Sequence, residues 1–248
     1  MELGLTDKIA LVTGASSGIG AAIARLLADE GADVVVAYRH GLTRAEDTAT
    51  AIRKSGRRAW TVPMDIGDPA SVQAAIDLVG QHVDHCDVLI LNAGRNLVTP
   101  FDAISTEEWD DVVRVNLGGV FYVLKAVRPL LSAGASVVTV ASVAAHTGAP
   151  QHAHYAAAKA GVVNLSKSAA RALAPGIRVN CVAPGLSATP MGADALADQD
   201  GAYLRNKLLA QRVAAPEEIA RVVVFLASPA ASFIYGATID VNGGRDLR

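Results

Sequence analysis

The chain has 248 residues, is 51% apolar and carries a net charge of −2. That apolar content suits a buried core and excludes a disordered chain. The near-neutral charge gives no electrostatic footprint for nucleic acid or an anionic membrane, and no apolar run approaches the ~20 residues that span a bilayer.

The first residues, MELGLTDK, carry no signal-peptide pattern. Cys86 and Cys181 each stand beside or within an apolar run, as buried small hydrophobes do more often than disulfide or metal partners. A cytoplasmic protein is expected.

A strand is predicted over Ile9–Thr13, running into TGASSGIG (Thr13 to Gly20) and a helix over Ile19–Glu30. Glycines 14, 18 and 20 allow a tight turn, close backbone approach to a ligand and close packing of helix on strand. The helix N-terminus offers free N–H groups and a positive dipole end to a pyrophosphate. Ser16, Ser17 and Ile19 lie inside this turn and join the glycines as candidate cofactor contacts. The spacing is G-x-x-x-G-x-G, so the better-known G-x-G-x-x-G is not literally matched.

The second strand, Val34–Tyr38, decides the adenine-side reading. An acid about 20 residues after the turn would grip the ribose hydroxyls of NAD. Asp33 has the distance but precedes the strand, which puts it at the wrong edge of a sheet that binds ligands at its carboxyl ends. Tyr38-Arg39-His40 stands at the carboxyl end, with no carboxylate among them. The Arg39 guanidinium suits a 2′-phosphate, so NADP(H) is favoured over NAD(H). The basic run RKSGRR, Arg53 to Arg58, reads as a solvated helix end and turn.

Further strands are predicted over Ala59–Pro63, Val88–Leu91, Ser136–Ala141, Arg178–Val182 and Thr238–Val241. Helices are predicted over Ala70–His82 and Glu107–Leu131, and another opens at Pro216-Glu217-Glu218 with proline at its first position and acids in its first turn. The strands are apolar almost throughout, as strands covered on both faces must be. The fold class is therefore α/β: one Rossmann-type, doubly wound parallel sheet of about seven strands with helices on both faces, a single domain over residues 1–248. Pro184 to Arg212 has weak periodicity and reads as a lid or binding segment, with residues 186–212 as the substrate loop.

Near the middle of the chain, QHAHYAAAKAG sets Tyr155 and Lys159 one helical turn apart. Joined to the glycine turn, this pair makes the whole chain resemble the short-chain dehydrogenase/reductase family, closest in look to its 3-oxoacyl-thioester reductases and related carbonyl reductases. The resemblance implies that Asp65, followed by Ile66, contacts adenine and that Asn92-Ala93-Gly94 lies along the cofactor. It implies that Asn116 in RVNLGG holds a proton-relay water. With Asn116, Ser142, Tyr155 and Lys159 complete a catalytic tetrad. Pro184-Gly185, with Ser187 and Thr189 after it, resembles the loop that seats the nicotinamide carboxamide, and Val241-Asn242-Gly243-Gly244 resembles the closing strand and glycine pair. Two positions depart from the family pattern. Leu91 stands where N-N-A-G has its first asparagine, and Ser187 stands where an apolar residue is common. The family also implies a homotetramer or dimer, paired through long helices beginning near Glu107 and Tyr155. The small residues from Ala156 to Gly161 suit either such pairing or packing within one subunit.

The chemistry fits these residue types. Reducing a carbonyl needs hydride from the nucleotide and a proton from the protein. A free tyrosine hydroxyl has a pKa of about 10, and moving it to neutrality takes roughly 4 kcal/mol of differential stabilisation. The nearby Lys159 charge favours the phenolate and is expected to lower it, while Ser142 donates to the carbonyl oxygen as charge develops. Tyr155 then acts as general acid in reduction and base in oxidation.

His152 and His154 form an H-x-H pair without a third ligand at a telling spacing, so no metal is expected. One of them, with His146, is expected to edge the substrate pocket; Arg95, Asn96 and Met191 are further candidates around its mouth. The expected function is an NADPH-dependent reductase of a ketone or a thioester-linked 3-oxoacyl group. An NAD-linked alcohol or sugar dehydrogenase and a non-catalytic dinucleotide sensor are the alternatives. Intact Ser142, Tyr155 and Lys159 count against the sensor.

Overall fold

In the computed structural model, residues 3–189 and 206–247 are described. Seven strands, β1 (Ile9–Thr13), β2 (Asp33–Tyr38), β3 (Ala59–Pro63), β4 (Cys86–Leu91), β5 (Leu131–Val140), β6 (Arg178–Pro184) and β7 (Thr238–Val241), form one sheet in the order β3-β2-β1-β4-β5-β6-β7. Every neighbouring pair is parallel. The chain winds outward from β1 in one direction and from β4 in the other. The carboxyl ends of β1 and β4 therefore bound the crevice where the strand order reverses.

Alternation along the strands builds two cores. Leu11, Leu89, Val137 and Val179 face one side, which is covered by α3 (Pro69–Gly80), α5 (Gly119–Val127) and α7 (Ala153–Leu173). Their neighbours Val12, Ile90, Val138 and Val182 face the other, covered by α1 (Gly18–Asp29), α2 (Leu42–Lys54) and α8 (Pro216–Ala227). Because successive side chains of a strand point to opposite faces, burial on both faces requires unbroken apolar runs. The predicted doubly wound sheet is the one observed.

Two local expectations change, and one alternative left open is narrowed. The predicted helix Glu107–Leu131 is divided: α4 (Thr106–Val113) passes into a π-helical turn over Arg114–Gly118 before α5, and β5 begins at Leu131 rather than Ser136. A π turn admits an extra residue without breaking the helix and re-aims the side chains on it, and Asn116 is one of these. The run RKSGRR is not simply solvated. Arg57 and Arg58 reach the buried Asp33 at 3.1 and 2.7 Å, fastening the amino end of β2. Although burial opposes it, the Arg58 hydrogen bonds and the charge of Arg57 hold the Asp33 carboxyl below its ordinary range. Asp33 thus sits at the edge away from the crevice, as its place before the strand predicts. Lastly, Gly161 on α7 packs on Leu117, where a Cβ would come within 2.7 Å of a leucine methyl. At that position the small residue serves packing within the subunit.

Candidate active site

A cleft of ≈460 Å³ opens along the carboxyl ends of the strands. Its nucleotide end is shaped by glycines. Gly14 and Gly18 adopt left-handed φ of 67° and 54°, and a Cβ on Gly20 would lie 2.3 Å from the Gly14 carbonyl oxygen and 2.5 Å from Asn92 Nδ2. Ser17, which caps α1, makes no side-chain capping bond, so the first N–H groups of that helix remain available to an anion. A dinucleotide fits this arrangement: small residues where backbone must approach it, and a bare helix terminus for its phosphates.

Thr13, which the sequence reading passed over, holds this end together. Its hydroxyl donates to the Ile90 carbonyl (3.2 Å) and accepts from the N–H groups of Asn92 and Ala93, both at 3.0 Å. Asn92 in turn donates to Thr13 O at 3.0 Å. The ends of β1 and β4 are thus laced side to side, and Leu91 is buried in the core.

At the end of β2, Arg39 Nε lies 2.9 Å from an Asp65 carboxylate oxygen. A carboxylate therefore does stand beside Arg39, contributed across space by the segment after β3 rather than by β2 itself. Asp65 also accepts from Gly67 N–H at 2.9 Å. His40 and Arg44 line the same end of the cleft; Arg44 folds over Gly41, where a Cβ would come within 2.7 Å of its Nη2.

At the other end lie the reacting groups. Tyr155 and Lys159 project from the first turns of α7, and Ser142 follows β5. Ser142 stands close enough to the Tyr155 hydroxyl to favour its ionisation. The buried Lys159 donates from Nζ to the Val140 carbonyl at 2.8 Å and stands 5.7 Å from the centre of the Tyr155 ring. Burial pushes the Tyr155 phenol up despite Ser142, and lowers Lys159 to about 8. At each group the loss of water on burial outweighs the interaction that opposes it, Ser142 at Tyr155 and Cys181 at Lys159.

Asn116 is fully buried and does not line the cleft. Its amide hydrogens go to the carbonyls of Arg95 (2.8 Å) and Val112 (2.9 Å), and its Oδ1 accepts from Arg95 N–H (3.2 Å). The π turn aims this side chain at the loop after β4. Gly94 sits against it: a Cβ there would be 2.6 Å from Asn116 Oδ1.

The two histidines diverge. His152 lines the cleft and hydrogen-bonds the Leu97 carbonyl through Nδ1 at 3.4 Å; burial lowers its pKa against that bond, with His154 and then Arg245 adding to the lowering. His154 is fully buried. Its Nδ1 accepts the Tyr155 N–H at 2.9 Å and its Nε2 donates to Glu108 at 2.8 Å. A first-turn N–H of α7 is thus satisfied by an imidazole, and the bond fixes the tautomer. Bonds from Thr99 and His154 keep the Glu108 carboxyl below its ordinary range, so Glu108 joins the loop after β4 to the start of α7.

Of the remaining candidates, Ser16, Ser17, Ile19, Ile66, Ala93, Arg95, Pro184, Gly185, Ser187 and Thr189 line the cleft. Tyr38 packs against the core on the α1 side. His146 does not line the cleft; its Nε2 lies 3.8 Å from Asp240 of β7. In its one-turn helix, Ala144–Thr147, it is Ala144 that lines the cleft. Met191 lies outside the described residues, as does the middle of the predicted substrate loop. Arg44, Asn96 and Arg245 also line the cleft.

Comparison with known proteins agrees with this geometry. Residues 14–246 match the family model described as Enoyl-(Acyl carrier protein) reductase. The chain is 42% identical over 243 residues to cis-4-hydroxycyclohexanecarboxylate dehydrogenase of Sinomonas cyclohexanicum, covering 96% of each chain. It is 40% identical over 240 residues to the 3-oxoacyl-[acyl-carrier-protein] reductase FabG of Staphylococcus aureus (strain Mu50), covering 96% of this chain and 97% of that one. The crystal structure of a short-chain dehydrogenase/reductase, glucose/ribitol dehydrogenase, from Brucella melitensis superposes with a TM-score of 0.92 at 35% identity, covering 100% of both chains. This chain is an oxidoreductase of the short-chain dehydrogenase/reductase family.

Proposed function

We propose that the protein reduces a ketone to a secondary alcohol with NADPH, with Tyr155 as the proton donor. The observation that carries this reading is the convergence of Ser142, Tyr155 and the buried Lys159 in the same cleft as the glycine turn. The bound nucleotide supplies the hydride. Gly14, Gly18 and Gly20 would seat its phosphates, Asn92 to Gly94 its ribose side, and Pro184, Gly185, Ser187 and Thr189 its carboxamide.

The protein's own part is acid catalysis. Ser142 and Tyr155 converge on the carbonyl oxygen. Tyr155 gives up its proton as negative charge grows on that oxygen, and Ser142 donates a hydrogen bond to it. Lys159 then stands close enough to favour the phenolate that remains. The raised pKa of Tyr155 keeps it protonated at neutral pH, the form required for reduction. Alcohol oxidation needs the phenolate, so the same site gains activity in that direction as pH rises. That second reading is favoured by the dehydrogenase name of the 42%-identical relative.

NADPH is preferred in this reading because Arg39, His40 and Arg44 line the nucleotide end of the cleft, where Asp65 is the one lining carboxylate among the described residues. Asn116 acts as a positioning residue for the Gly94-Arg95 backbone. Cytoplasmic residence and a homotetramer, both implied by the family resemblance, belong to the same proposal. The test is a panel of ketones and 3-oxo esters assayed with NADPH and with NADH. Turnover at lower NADPH than NADH concentration is expected. Binding of either nucleotide without turnover of any carbonyl would move the protein to the sensor class.

A further inference from the structure

We propose that the catalytic end of the cleft contains a carboxylate-binding subsite centred on Arg245, and that the preferred substrates are small oxo acids rather than neutral ketones or thioesters. The proposal rests on the carbonyl-reductase reading and names the substrate class of that site.

The place of Arg245 is set by the strand before it. Val241 of β7 lies in register with Pro184 of β6, and Gly185 packs so closely that a Cβ on it would be 2.7 Å from the Asn242 Cα. The turn after β7 is therefore pinned beside Pro184-Gly185, away from the Arg39 end. Asn242 fixes its shape, accepting from Gly244 N–H and donating to the Asp246 carbonyl, both at 2.9 Å. Gly243 and Gly244, at φ of 65° and 74°, allow the reversal. Arg245 N–H closes it on the Asn242 carbonyl at 3.2 Å. From this braced backbone the partly buried Arg245 side chain reaches the cleft wall, near enough to His152 for its charge to lower that imidazole.

Among the described residues, the charges around Arg245 leave it unmatched. Among the described residues the only carboxylate lining the cleft is Asp65, which faces Arg39 at the far end. Arg95, the other arginine near the catalytic groups, is paired with Asp111, which also takes Arg114. Lys159 is committed to the Val140 carbonyl behind Tyr155. His152 is no anion and cannot serve as the counter-charge; burial, His154 and Arg245 all lower it, against the Leu97 bond. Asp246, next in the chain, does not line the cleft. Among the described residues no carboxylate forms an ion pair with Arg245. A partly desolvated cation without a counter-charge is costly unless a ligand supplies one. A guanidinium supplies the planar fork that a carboxylate matches with two parallel hydrogen bonds. A substrate with its carbonyl on Ser142 and Tyr155 and its carboxylate on Arg245 uses both features. A neutral ester or thioester leaves Arg245 unpaired.

The experiment compares kcat/KM, with NADPH, for oxo acids such as 4-oxocyclohexanecarboxylate and for their methyl esters. Wild-type enzyme is expected to favour the acid over its ester by about 10- to 100-fold. Arg245→Gln should collapse that ratio through KM for the acid, and Arg245→Lys should keep part of it. Turnover of both with no acid preference in wild type, or a preference that survives Arg245→Gln, would overturn the subsite while leaving the reductase reading intact. Absence of any carbonyl turnover would instead overturn the reductase reading. Calorimetric titration of cyclohexanecarboxylate into the protein with NADP+ then decides the subsite separately: binding lost in Arg245→Gln supports it, and equal binding or none in wild type rejects it.

Discussion

The nucleotide end of the cleft is made chiefly of backbone, whereas the catalytic end is made of buried and half-buried side chains, two of them with shifted ionisation. At the first, Gly14, Gly18 and Gly20 leave room, and the Thr13 hydroxyl laces two strand ends together. At the second, Tyr155 and Lys159 are moved in opposite directions by the same loss of water. A substitution at the first end acts by filling space. At the second it acts by changing what is charged.

The largest effect is expected from filling the first end. Gly20→Val places carbon where 2.3 Å already separates a Cβ from the Gly14 carbonyl. Nucleotide binding should be lost in a fluorescence titration, with a stability cost of about 1–3 kcal/mol from overpacking. Retained binding would mean that the turn does not approach a ligand closely. Next comes Ser142→Ala, which takes a hydrogen-bond donor from the oxyanion. A fall in kcat of about 10²–10³-fold is expected with little change in nucleotide affinity, so kinetics and binding should separate the two ends cleanly.

Lys159→Met sharpens the comparison because it should cost activity and add stability. The folded protein lowers Lys159 from its ordinary 10.5 to about 8. Below about pH 8 both folded and unfolded chains carry the proton, and the folded state bears the full penalty of a buried charge. Between pH 8 and 10.5 only the unfolded chain holds that proton, so the penalty shrinks, and above 10.5 it is gone. The shift corresponds to about 3 kcal/mol at most, reduced by about 1 kcal/mol for the lost bond to Val140. Denaturant melts should show Lys159→Met more stable than wild type at pH 7 by about 2 kcal/mol, converging with it near pH 10. A destabilised variant at pH 7 would show that Lys159 is not held at a desolvation cost.

The same division explains what could be read from the sequence. Continuous apolar runs such as Val34–Tyr38 identify strands because burial on both faces admits little else. Glycine spacing identifies the turn because only glycine tolerates φ near 60° beside another backbone. Features made through space were not legible. Asp65 meets Arg39 from the segment after β3, and Arg245 reaches the cleft from a turn whose sequence suggested only a closing glycine pair. The π turn at Asn116 arises inside a segment whose periodicity reads as one helix. His154 could be spaced next to Tyr155 from the sequence, but its bond to Glu108 depends on how α4 meets α7.

The central claim is that the Tyr155 hydroxyl supplies the proton. Its most direct test is ketone reduction by Tyr155→Phe with NADPH, with nucleotide binding measured in parallel. The account predicts a loss in kcat of at least about 10³-fold, nucleotide affinity within a few-fold of wild type, and disappearance of the high-pH fall in the reductive rate that deprotonation of the phenol causes. Near-full activity in Tyr155→Phe, with that high-pH limb unchanged, would contradict it.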